Sequence, residues 1–356
     1  MRRKNLIVKR KVKNPKLLIQ NPKIIKSYKN FKSILFKNVK HQKYAIAVSG
    51  GADSLCLAYF SKVYSSEFRN KVHTLIVDHK LRKESSNESK KVKNILKRKK
   101  INSKILTWTG KVPESNIQFN ARNIRYSLIS KYCTLHNIKY IVTAHHMDDQ
   151  IENFFIRLFR GSGLAGLSSM PETFQHNDKL KIIRPFLGFK KKDLKFVTIK
   201  YFKTYIKDPS NKNEKYLRVR VRKYRKKMET EGLDTNKIIK TVNNLLSANK
   251  ALSFYKNKAL HKYVSFLSKD KCLINTQIFS EEAGEIIFKS FSDILSLISG
   301  TYYPPRSKKT VNLINRIKKH NSGKYTLGGC IVERKESYIL VTREIKQKKM
   351  TYQPYK

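Results

Sequence analysis

One short stretch constrains the fold of this chain more than any other, Ser49-Gly50-Gly51-Ala52-Asp53-Ser54. It follows an apolar run, Tyr44 to Val48, and precedes a run with helical apolar spacing, Leu55 to Val63. That order predicts a buried strand, a glycine turn and a helix. Adjacent glycines let the backbone approach a ligand closely, and the free amides at a helix start bind phosphate. The stretch therefore predicts a phosphate site. An ordinary glycine turn is the simpler alternative, and the Gly-Lys-Ser/Thr of a Walker loop is missing.

Strand-like and helix-like segments then alternate up to about residue 205. Alternation with short connections predicts a parallel sheet with helices on both faces, in which ligands bind at the carboxyl ends of the strands. After the first strand, we expect strands at 72–77, 101–108, 140–143 and 180–184, and helices at 84–100, 116–137, 148–160 and 190–205. A helix over 22–40 should pack beside the first strand.

The pattern changes after about residue 225. Helical stretches at 235–265, 281–299 and 307–320 precede two strand-like runs, 325–333 and 337–343, with Gly328-Gly329 as a turn or bulge. We therefore expect three parts: a basic flexible tail over 1–21, an α/β domain over 22–225, and a smaller, mainly helical domain over 226–356 that ends in a small β-hairpin.

The net charge of +53 comes from 78 Lys and Arg residues against 25 Asp and Glu residues. A charge of this size predicts attraction to a polyanion, most simply nucleic acid. An AT-rich genome offers a second explanation, because it enriches Lys, Asn, Ile and Tyr through codon usage. The sign of the charge therefore supports RNA binding, and its size carries little weight.

The cysteines and the apolar runs bound the cellular setting. Cys56, Cys133, Cys272 and Cys330 form no Cys-x-x-Cys pair and no zinc spacing, so they indicate reduced, mostly buried thiols. No apolar run reaches the roughly 18 to 20 residues of a membrane span. The N-terminus lacks the apolar core of a signal peptide. We therefore expect a cytoplasmic protein.

Polar clusters follow two of the predicted strands. After the second strand come Val77 and Asp78, where the carboxylate either caps a turn or faces a ligand. The stretch 144–150 follows the fourth strand and contains two histidines and two adjacent carboxylates, His145, His146, Asp148 and Asp149. Carboxylates that face a triphosphate hold Mg²⁺ or a cationic substrate group. Zinc is the weaker alternative, because no third soft ligand is spaced to join them.

Two sets of arginines complete the candidate site. Arg122 and Arg125 lie three residues apart on one helix face and could clamp phosphate, although a solvated basic face explains them equally well. Four more arginines follow the turn at 208–211, and we predict that they bind RNA: Arg218, Arg220, Arg222 and Arg225. Three of the four form one helical stripe suited to an RNA backbone.

The stretch 49–54 resembles the pyrophosphate loop of the ATP-pyrophosphatases that adenylate their substrates. Taken together, the motifs are similar to one branch, the tRNA(Ile)-lysidine synthetases, whose signatures appear in order at 49–54, 77–82, 121–126, 144–150, 160–167 and 208–211. The match covers roughly residues 40–225. Two departures are peripheral to the chemistry: Asn153 replaces the usual Thr, and Tyr205 stands where a Trp often precedes the 208–211 turn.

The resemblance implies an adenine nucleotide alpha hydrolase-like PP-loop fold and a ligase. Such an enzyme attaches lysine to carbon 2 of the wobble cytidine of tRNA(Ile) with a CAU anticodon. The reaction passes through an adenylated cytidine and releases AMP and pyrophosphate. It requires ATP, Mg²⁺, free L-lysine and the tRNA, and a homodimer is one option for its assembly. The resemblance makes 22–225 the catalytic domain and 226–356 the tRNA-binding domain.

The implied site combines the motif residues. Those expected to bind ATP are Ser49, Gly50, Gly51, Ala52, Asp53, Ser54, Val77 and Asp78. Those expected to be catalytic are Asp53, Arg122, Arg125, His145, Asp148 and Asp149, with Asp53 and Asp148 as Mg²⁺ ligands. His146 is an alternative to His145 as acid or base.

Two other functions are also compatible with parts of the sequence. A different adenylating tRNA modifier, such as a thiolase, would use the same loop with sulfur as the nucleophile. The missing Cys-x-x-Cys argues against the iron–sulfur thiolases, and the lack of a glutamine amidotransferase-like region argues against single-chain GMP and asparagine synthetases. A non-catalytic RNA-binding protein is the third alternative, and the intact Asp53, Ser54, Asp148 and Asp149 argue against it.

Overall fold

The computed structural model describes residues 21–81, 84–110, 117–168, 170–177, 179–207, 214–215, 217–301 and 304–344, with the backbone alone for 117–119. The chain divides into two compact units, Met1–Asn244 and Leu245–Lys356. The expected tail over 1–20, Arg82 and the turn at 208–211 lie outside the described residues.

The first unit alternates helices and strands, as the sequence predicts. Its helices are α1 (Pro22–Val39), α2 (Ala52–Phe68), α3 (Ser85–Arg98), α4 (Ile117–Leu135), α5 (Met147–Leu158), α6 (Leu164–Leu167), α7 (Lys191–Phe202), α8 (Leu217–Thr230) and the start of α9 (Thr235–Tyr263). Its strands are β1 (Tyr44–Ala47), β2 (Val72–Asp78), β3 (Ser103–Thr107), β4 (Tyr140–Val142), β5 (Thr173–Asn177) and β6 (Leu180–Ile183).

These strands form a six-stranded sheet in the order β3-β2-β1-β4-β6-β5. All neighbours are parallel except β5, which pairs antiparallel with β6 at the edge and was not predicted. The chain builds outward from β1 through β2 to β3 and then returns to place β4 on the other side of β1. Ligands of open α/β sheets bind where the strand order reverses, at the carboxyl ends of the strands. This topology therefore directs a site to the ends of β1 and β4.

Helices cover both faces of the sheet, which confirms the predicted architecture. Tyr44 and Ile46 of β1 point into a core shared with α1, α2 and α7. Ala45, between them, points to the opposite core, which includes Ile129 of α4. Side chains alternate between faces with a period of two along a strand. Strands buried on both faces have continuous apolar runs, and these runs made the strands predictable from the sequence.

The first unit extends beyond the boundary predicted after residue 225, which falls inside α8. A separate apolar cluster joins α5, α8 and the start of α9 through Ile151, Phe155, Val221, Ile238 and Val242. The division between the units falls after residue 244, within α9. Helical spacing alone does not tell which core a helix face joins. The arginine stripe therefore lies on a helix as expected, whereas the unit ends after residue 244 rather than after residue 225.

The second unit contains more β-structure than expected. Its elements after α9 are β7 (Val264–Ser268), β8 (Lys271–Asn275), α10 (Ile278–Glu281), α11 (Gly284–Ser299), α12 (Ser307–Lys319), β9 (Ser322–Leu327), β10 (Cys330–Lys335) and β11 (Tyr338–Arg343). The strands form one five-stranded sheet in the order β7-β8-β11-β10-β9. The expected hairpin is part of this sheet, and the run read as 325–333 is divided by a turn.

That turn is built by two glycines with left-handed backbone angles. Gly328 has φ of +64° and Gly329 has φ of +80°, and they join β9 to β10. A residue with a side chain adopts such angles only at a cost, so the pair enforces the turn. The strands β7 and β8 were missed because a helix was expected to continue to residue 265, and β7 is exposed over most of its length.

Two expectations about the chain as a whole can be compared with the structure. All four cysteines are free and buried, in line with the reduced thiols expected from their spacing. Among the helices that the structure describes, none combines the length and apolarity that a membrane crossing requires.

A pair of phenylalanines on α1 tests whether this helix belongs to the folded core. Phe31 is fully buried, and its ring centroid lies 5.5 Å from that of Phe60 and 5.6 Å from that of Phe186. Phe36, on the same helix, is 41% exposed. We expect Phe31→Ala to destabilise the first unit by about 3–5 kcal/mol, the usual cost of such a cavity. Phe36→Ala should cost much less.

The measurement is urea unfolding followed by the fluorescence of Trp108, the single tryptophan of the chain, which lies in the first unit. Equal midpoints for the two variants would mean that α1 does not contribute to the core.

Candidate active site

The loop between β1 and α2 has the geometry of an anion site. Gly50 has φ of +86°, and a Cβ atom there would approach Val92 Cγ2 to 2.5 Å, so only glycine fits. The Ser49 amide donates to Ser54 Oγ at 3.2 Å, and the Ser54 hydroxyl donates to the Gly51 carbonyl at 3.0 Å. No side chain caps α2 at Gly51. The first amides of this helix are therefore available to an anion, which the helix dipole also attracts.

A cavity of about 390 Å³ opens beside this loop at the ends of β1 and β4. The predicted site residues that line it are Ser49, Gly51, Asp53, Ser54, Val77, Arg122, Arg125, His145, Asp149, Arg218 and Arg222. Gly50, Ala52, Asp78, Asp148, Arg220 and Arg225 are not among its lining residues. The structure thus brings most of the predicted motifs to one place.

His146 connects the loop to the start of α5. Its Nε2 atom lies 3.4 Å from Asp53 Oδ2 and 3.4 Å from Asp149 Oδ2. Burial alone would lower the pKa of His146. The hydrogen bond with Asp53 and the negative charges of Asp149 and Asp53 outweigh burial and raise this pKa above its ordinary value. A protonated His146 therefore forms an ionic bridge between two carboxylates that belong to different elements.

His145 has the opposite electrostatic character. Its Nδ1 atom lies 2.9 Å from the Thr143 hydroxyl oxygen, and its ring lines the cavity. Burial and the positive charges of Arg184 and Arg122, opposed by the charge of Asp149, lower the pKa of His145 to about 3. His145 is therefore a neutral imidazole near pH 7, suited to exchange hydrogen bonds with a ligand rather than to carry charge.

The carboxylates of α5 face the arginines of α8. Arg218 donates through Nη2 to Asp149 Oδ1 at 2.5 Å and through Nε to Glu152 Oε2 at 2.6 Å. Arg222 donates through Nε to the other oxygen of Glu152, also at 2.5 Å. Glu152 is 2% exposed, so its two arginine partners supply the charge compensation that a buried carboxylate needs.

Burial alone would raise the pKa of Asp149. The positive charges of His146 and Arg218, with a hydrogen bond from the His146 amide, outweigh burial and lower this pKa below its usual range. Asp149 also accepts a hydrogen bond from the His146 amide at 3.0 Å and so caps α5. It is a fixed carboxylate anion on the cavity wall, already occupied by one guanidinium.

The other predicted residues of this region have partners outside the cavity lining. Asp148 Oδ1 lies 3.4 Å from Arg225 Nη1, and Arg225 also pairs with Glu229 at 3.1 Å. Arg220 donates to the carbonyls of Glu214 and Lys215 at 3.0 and 3.1 Å. The role of Asp148 as a metal ligand and the RNA-binding roles of these arginines stay predictions.

Asp78 organises the loop at the end of β2. Its carboxylate accepts hydrogen bonds from the Ser85 and Ser86 hydroxyls at 2.5 and 2.6 Å and from the Lys80 amide at 3.1 Å. Burial raises its pKa, but these three hydrogen bonds outweigh it and lower the pKa below the ordinary value. Asp78 thus fixes the start of α3, the role of a turn cap, while its neighbour Val77 lines the cavity.

One oxygen of the loop is left for a cation. Asp53 Oδ1 is buried and has no hydrogen-bond partner among the described residues, whereas Oδ2 faces His146. Among all the residues that the structure describes, no group of three or more His, Cys, Asp or Glu side chains could hold a metal ion by itself. Mg²⁺ commonly takes one or two carboxylates together with substrate phosphates, so Asp53 fits that arrangement and a zinc site does not.

Several lining residues were missed by sequence reasoning. They are His79, Ser85, Glu88, Ser89, Val92, Tyr126, Ile129, Thr143, Lys191 and Ile206. Glu152 was also missed, although it follows Asp149 by three residues on the predicted helix, a spacing that places both on one face. Lys191 lies far from the motifs in sequence, and no local pattern distinguishes it from the many other lysines.

Comparisons with known proteins identify the family of this chain. Residues 23–227 match the family described as PP-loop domain. The chain is 36% identical over 313 residues to the tRNA(Ile)-lysidine synthase of Orientia tsutsugamushi (strain Boryong), covering 86% of this chain and 70% of that protein. It is 33% identical over 324 residues to the enzyme of the same name from Wolbachia pipientis wMel, covering 87% and 74%. The chain belongs to the tRNA(Ile)-lysidine synthase family.

Membership of the tRNA(Ile)-lysidine synthase family makes the chain an enzyme of the ligase class and confirms the resemblance carried by its motifs. Among solved structures, it is similar to the U34-tRNA thiolase NcsA from Methanococcus maripaludis with its 4Fe-4S cluster. That match has a TM-score of 0.54 and 18% identity, and covers 63% of this chain and 79% of that chain. At this identity the likeness concerns the fold alone, and it confirms the α/β architecture.

Asp78 gives a test of the loop that is independent of activity. We expect Asp78→Asn to destabilise the first unit by about 1–2 kcal/mol at pH 7, since bonds to a charged acceptor are lost. Because the pKa of Asp78 is lowered by folding, its stabilisation is present above the unfolded pKa of about 3.9 and is lost as pH falls through the folded value. The difference between the two proteins should therefore persist from pH 7 to 5 and narrow below about pH 4.

Urea unfolding followed by Trp108 fluorescence at each pH measures the difference. Glu84→Gln is the matched control, since Glu84 is exposed at the start of the same helix and makes no capping bond. A difference that does not change with pH would contradict the charged role of Asp78.

Proposed function

We propose that this chain attaches free L-lysine to carbon 2 of the wobble cytidine of tRNA(Ile) with a CAU anticodon, at the expense of ATP. The observation that carries the proposal is the composition of one cavity. A helix start open to phosphate, at Ser49–Ser54, lies on the same cavity as a carboxylate that already holds a guanidinium, Asp149. The names of the relatives support the tRNA substrate and the lysidine product.

The loop after β1 would bind the β- and γ-phosphates of ATP. The free amides of α2 and the hydroxyls of Ser49 and Ser54 provide donors, and Gly50 lets the backbone approach closely. Asp53 would hold Mg²⁺ through the oxygen that has no protein partner. When bound, the ion supplies positive charge to the phosphate oxygens. His146 holds Asp53 in place through its other oxygen.

The first chemical step is activation of the base. Oxygen 2 of cytosine is a poor leaving group, so it attacks the α-phosphate of ATP, a new P–O bond forms, and pyrophosphate leaves. Arg122 and Arg125 line the cavity and would neutralise the charge that develops on the α-phosphate. The cytosine must leave its stack to reach the cavity, as in other enzymes that modify bases.

The second step is attack by lysine. The ε-amine forms a bond to carbon 2, and the C–O bond to AMP breaks. Asp149 would orient the lysine ammonium, and Arg218 marks where a cation is stabilised. The ammonium gives its proton to water before the amine attacks. The pKa of His146 is raised and that of His145 is lowered to about 3, so we assign His145 the hydrogen bonds to the reacting base and His146 the role of holding Asp53 and Asp149.

The partners follow from the reaction. They are tRNA(Ile) with its CAU anticodon, free L-lysine and ATP, and we place the reaction in the cytoplasm. A homodimer stays a prediction. The fold is shared with a thiolase, but the four cysteines of this chain are buried and none of them lines the cavity, so its own thiols are not positioned to carry sulfur.

Labelled lysine provides the direct test. We expect ATP-dependent incorporation of labelled L-lysine into an unmodified tRNA(Ile) transcript with a CAU anticodon, with pyrophosphate and AMP released in equal amounts. Methionine tRNA, which carries the same anticodon, is the control and should remain unlabelled. If pyrophosphate is released only with the tRNA but no lysine is incorporated, the adenylation step would stand and lysine would not be the nucleophile. No label and no pyrophosphate would overturn the proposal.

Two adjacent carboxylates separate catalysis from structure. We expect Asp149→Asn to lower kcat/KM for lysine about 10²-fold, because a fixed charge on the cavity wall is lost. Asp148→Asn should lower it less than about threefold, since Asp148 pairs with Arg225 and does not line the cavity. Each substitution removes one ion pair between α5 and α8. Asp149→Asn also alters the contacts with His146, and the unfolding measurement reports that structural loss.

The readouts are steady-state kinetics with lysine varied, ATP binding, and urea unfolding followed by Trp108. ATP binding should stay within about threefold of the parent for both variants. Equal losses of kcat/KM for both would assign the effect to the helix contact, and full activity of Asp149→Asn would remove this residue from the mechanism.

A further inference from the structure

One face of α9 in the second unit carries two exposed aromatic rings. Phe254 is 61% exposed and Tyr255 is 56% exposed, and their ring centroids lie 5.5 Å apart with the planes at 83°. The helix beneath them is fixed, because Ala259 and Tyr263 are buried in the core of this unit. The rings therefore project from a rigid element, and burying them against a partner would gain apolar contact at little cost in chain order.

Positive charge surrounds these rings. Lys258 Nζ lies 5.9 Å from the centroid of the Phe254 ring, and Lys250 lies one turn before Phe254 on the same side of the helix. Neither lysine forms an ion pair with a carboxylate of the described residues, whereas Lys256 pairs with Asp293. The sequence of α9 contains no Asp or Glu.

We propose that this aromatic face of α9, formed by Lys250, Phe254, Tyr255 and Lys258, binds RNA through unpaired bases that stack on its rings. Every base has a planar face that stacks on an aromatic ring, and lysines beside the ring contact the neighbouring phosphates. The inference rests on the proposed function for the identity of the RNA, which is then the tRNA substrate. It adds a second contact, on a unit that contributes no residue to the cavity.

Charge decides between RNA and a second copy of this chain as the occupant. Two copies of α9 that met through this face would bring lysines together without any acidic partner, in a chain of net charge +53. A polyanion has the complementary charge and exposes planar bases where its strand is unpaired. An acidic protein would match the charge but would not require stacked bases. Binding of tRNA that depends on the two aromatic rings distinguishes RNA from an acidic protein as the occupant.

The first arm measures binding by the full chain. The double variant Phe254→Ala/Tyr255→Ala should bind the unmodified tRNA(Ile) transcript about 10-fold more weakly, as expected for the loss of one stacked base. Its affinity for heparin, a polyanion without bases, should change less than about twofold. Phe266→Ala is the matched control, because Phe266 is 52% exposed in the same unit but lies on β7. Its affinity for the tRNA should stay within about twofold.

The second arm detects stacking directly. Phe254→Trp places an indole on the aromatic face. The fluorescence of Trp108, the one natural tryptophan, is measured in the parent chain and subtracted. Fluorescence of the new indole should be quenched by the tRNA transcript and not by heparin. At saturating tRNA the double variant should keep the parent kcat for lysine incorporation, and its KM for tRNA should rise with the dissociation constant.

The outcomes separate this inference from the proposed function. A parent that incorporates lysine while the double variant binds tRNA with unchanged affinity would overturn the aromatic face and leave the function in place. If the double variant loses heparin binding as much as tRNA binding, the face acts through charge alone and the inference is overturned. If the double variant changes the sedimentation of the chain but not its tRNA binding, the face is a protein contact, and the inference is overturned as well. A parent that neither binds the tRNA nor incorporates lysine would overturn both proposals.

Discussion

The charge matching between α5 and α8 is the interaction on which the candidate site depends. Glu152 is almost fully buried, and a buried carboxylate is tolerated only when cations compensate it. Arg218 and Arg222 provide that compensation, and the apolar cluster beneath them holds α8 in register. Removing one partner would leave an uncompensated charge, so α8 cannot be moved or reversed without cost. The cavity wall is therefore completed by a helix that is distant in sequence from the nucleotide loop.

The sequence predicted the parts of the molecule that local pattern determines. Apolar runs buried on both faces identified β1, β2 and β4, and the glycines after β1 identified the loop, because Gly50 has a backbone angle and a close contact that exclude a side chain. The rule that ligands bind at strand ends then gathered the motifs, since parallel strands place their carboxyl ends together. The cavity lining agrees with this expectation for most of the predicted residues.

The parts that were not predicted depend on tertiary partners. Helical periodicity shows that the arginines of α8 share a face but not what that face meets, so their pairing with α5 was not predicted, and their role in RNA binding stays a prediction. In the structure Arg218, Arg222 and Arg225 meet Asp149, Glu152 and Asp148. The second sheet was underestimated for a related reason, since the exposed strand β7 has no apolar alternation that would separate it from the end of α9.

The same contacts explain how one cavity can serve two ligands of opposite charge. Arg122 and Arg125 reach the cavity from α4, and the free amides of α2 add donors, so this part favours phosphate. Asp149 is kept anionic on α5 by His146 and Arg218, so the start of α5 favours an ammonium group. His146 lies between the two regions and binds a carboxylate of each. Fixed elements thus hold the charges apart in advance, so the anionic nucleotide and the cationic lysine of the proposed reaction would be placed side by side without reorganising the protein.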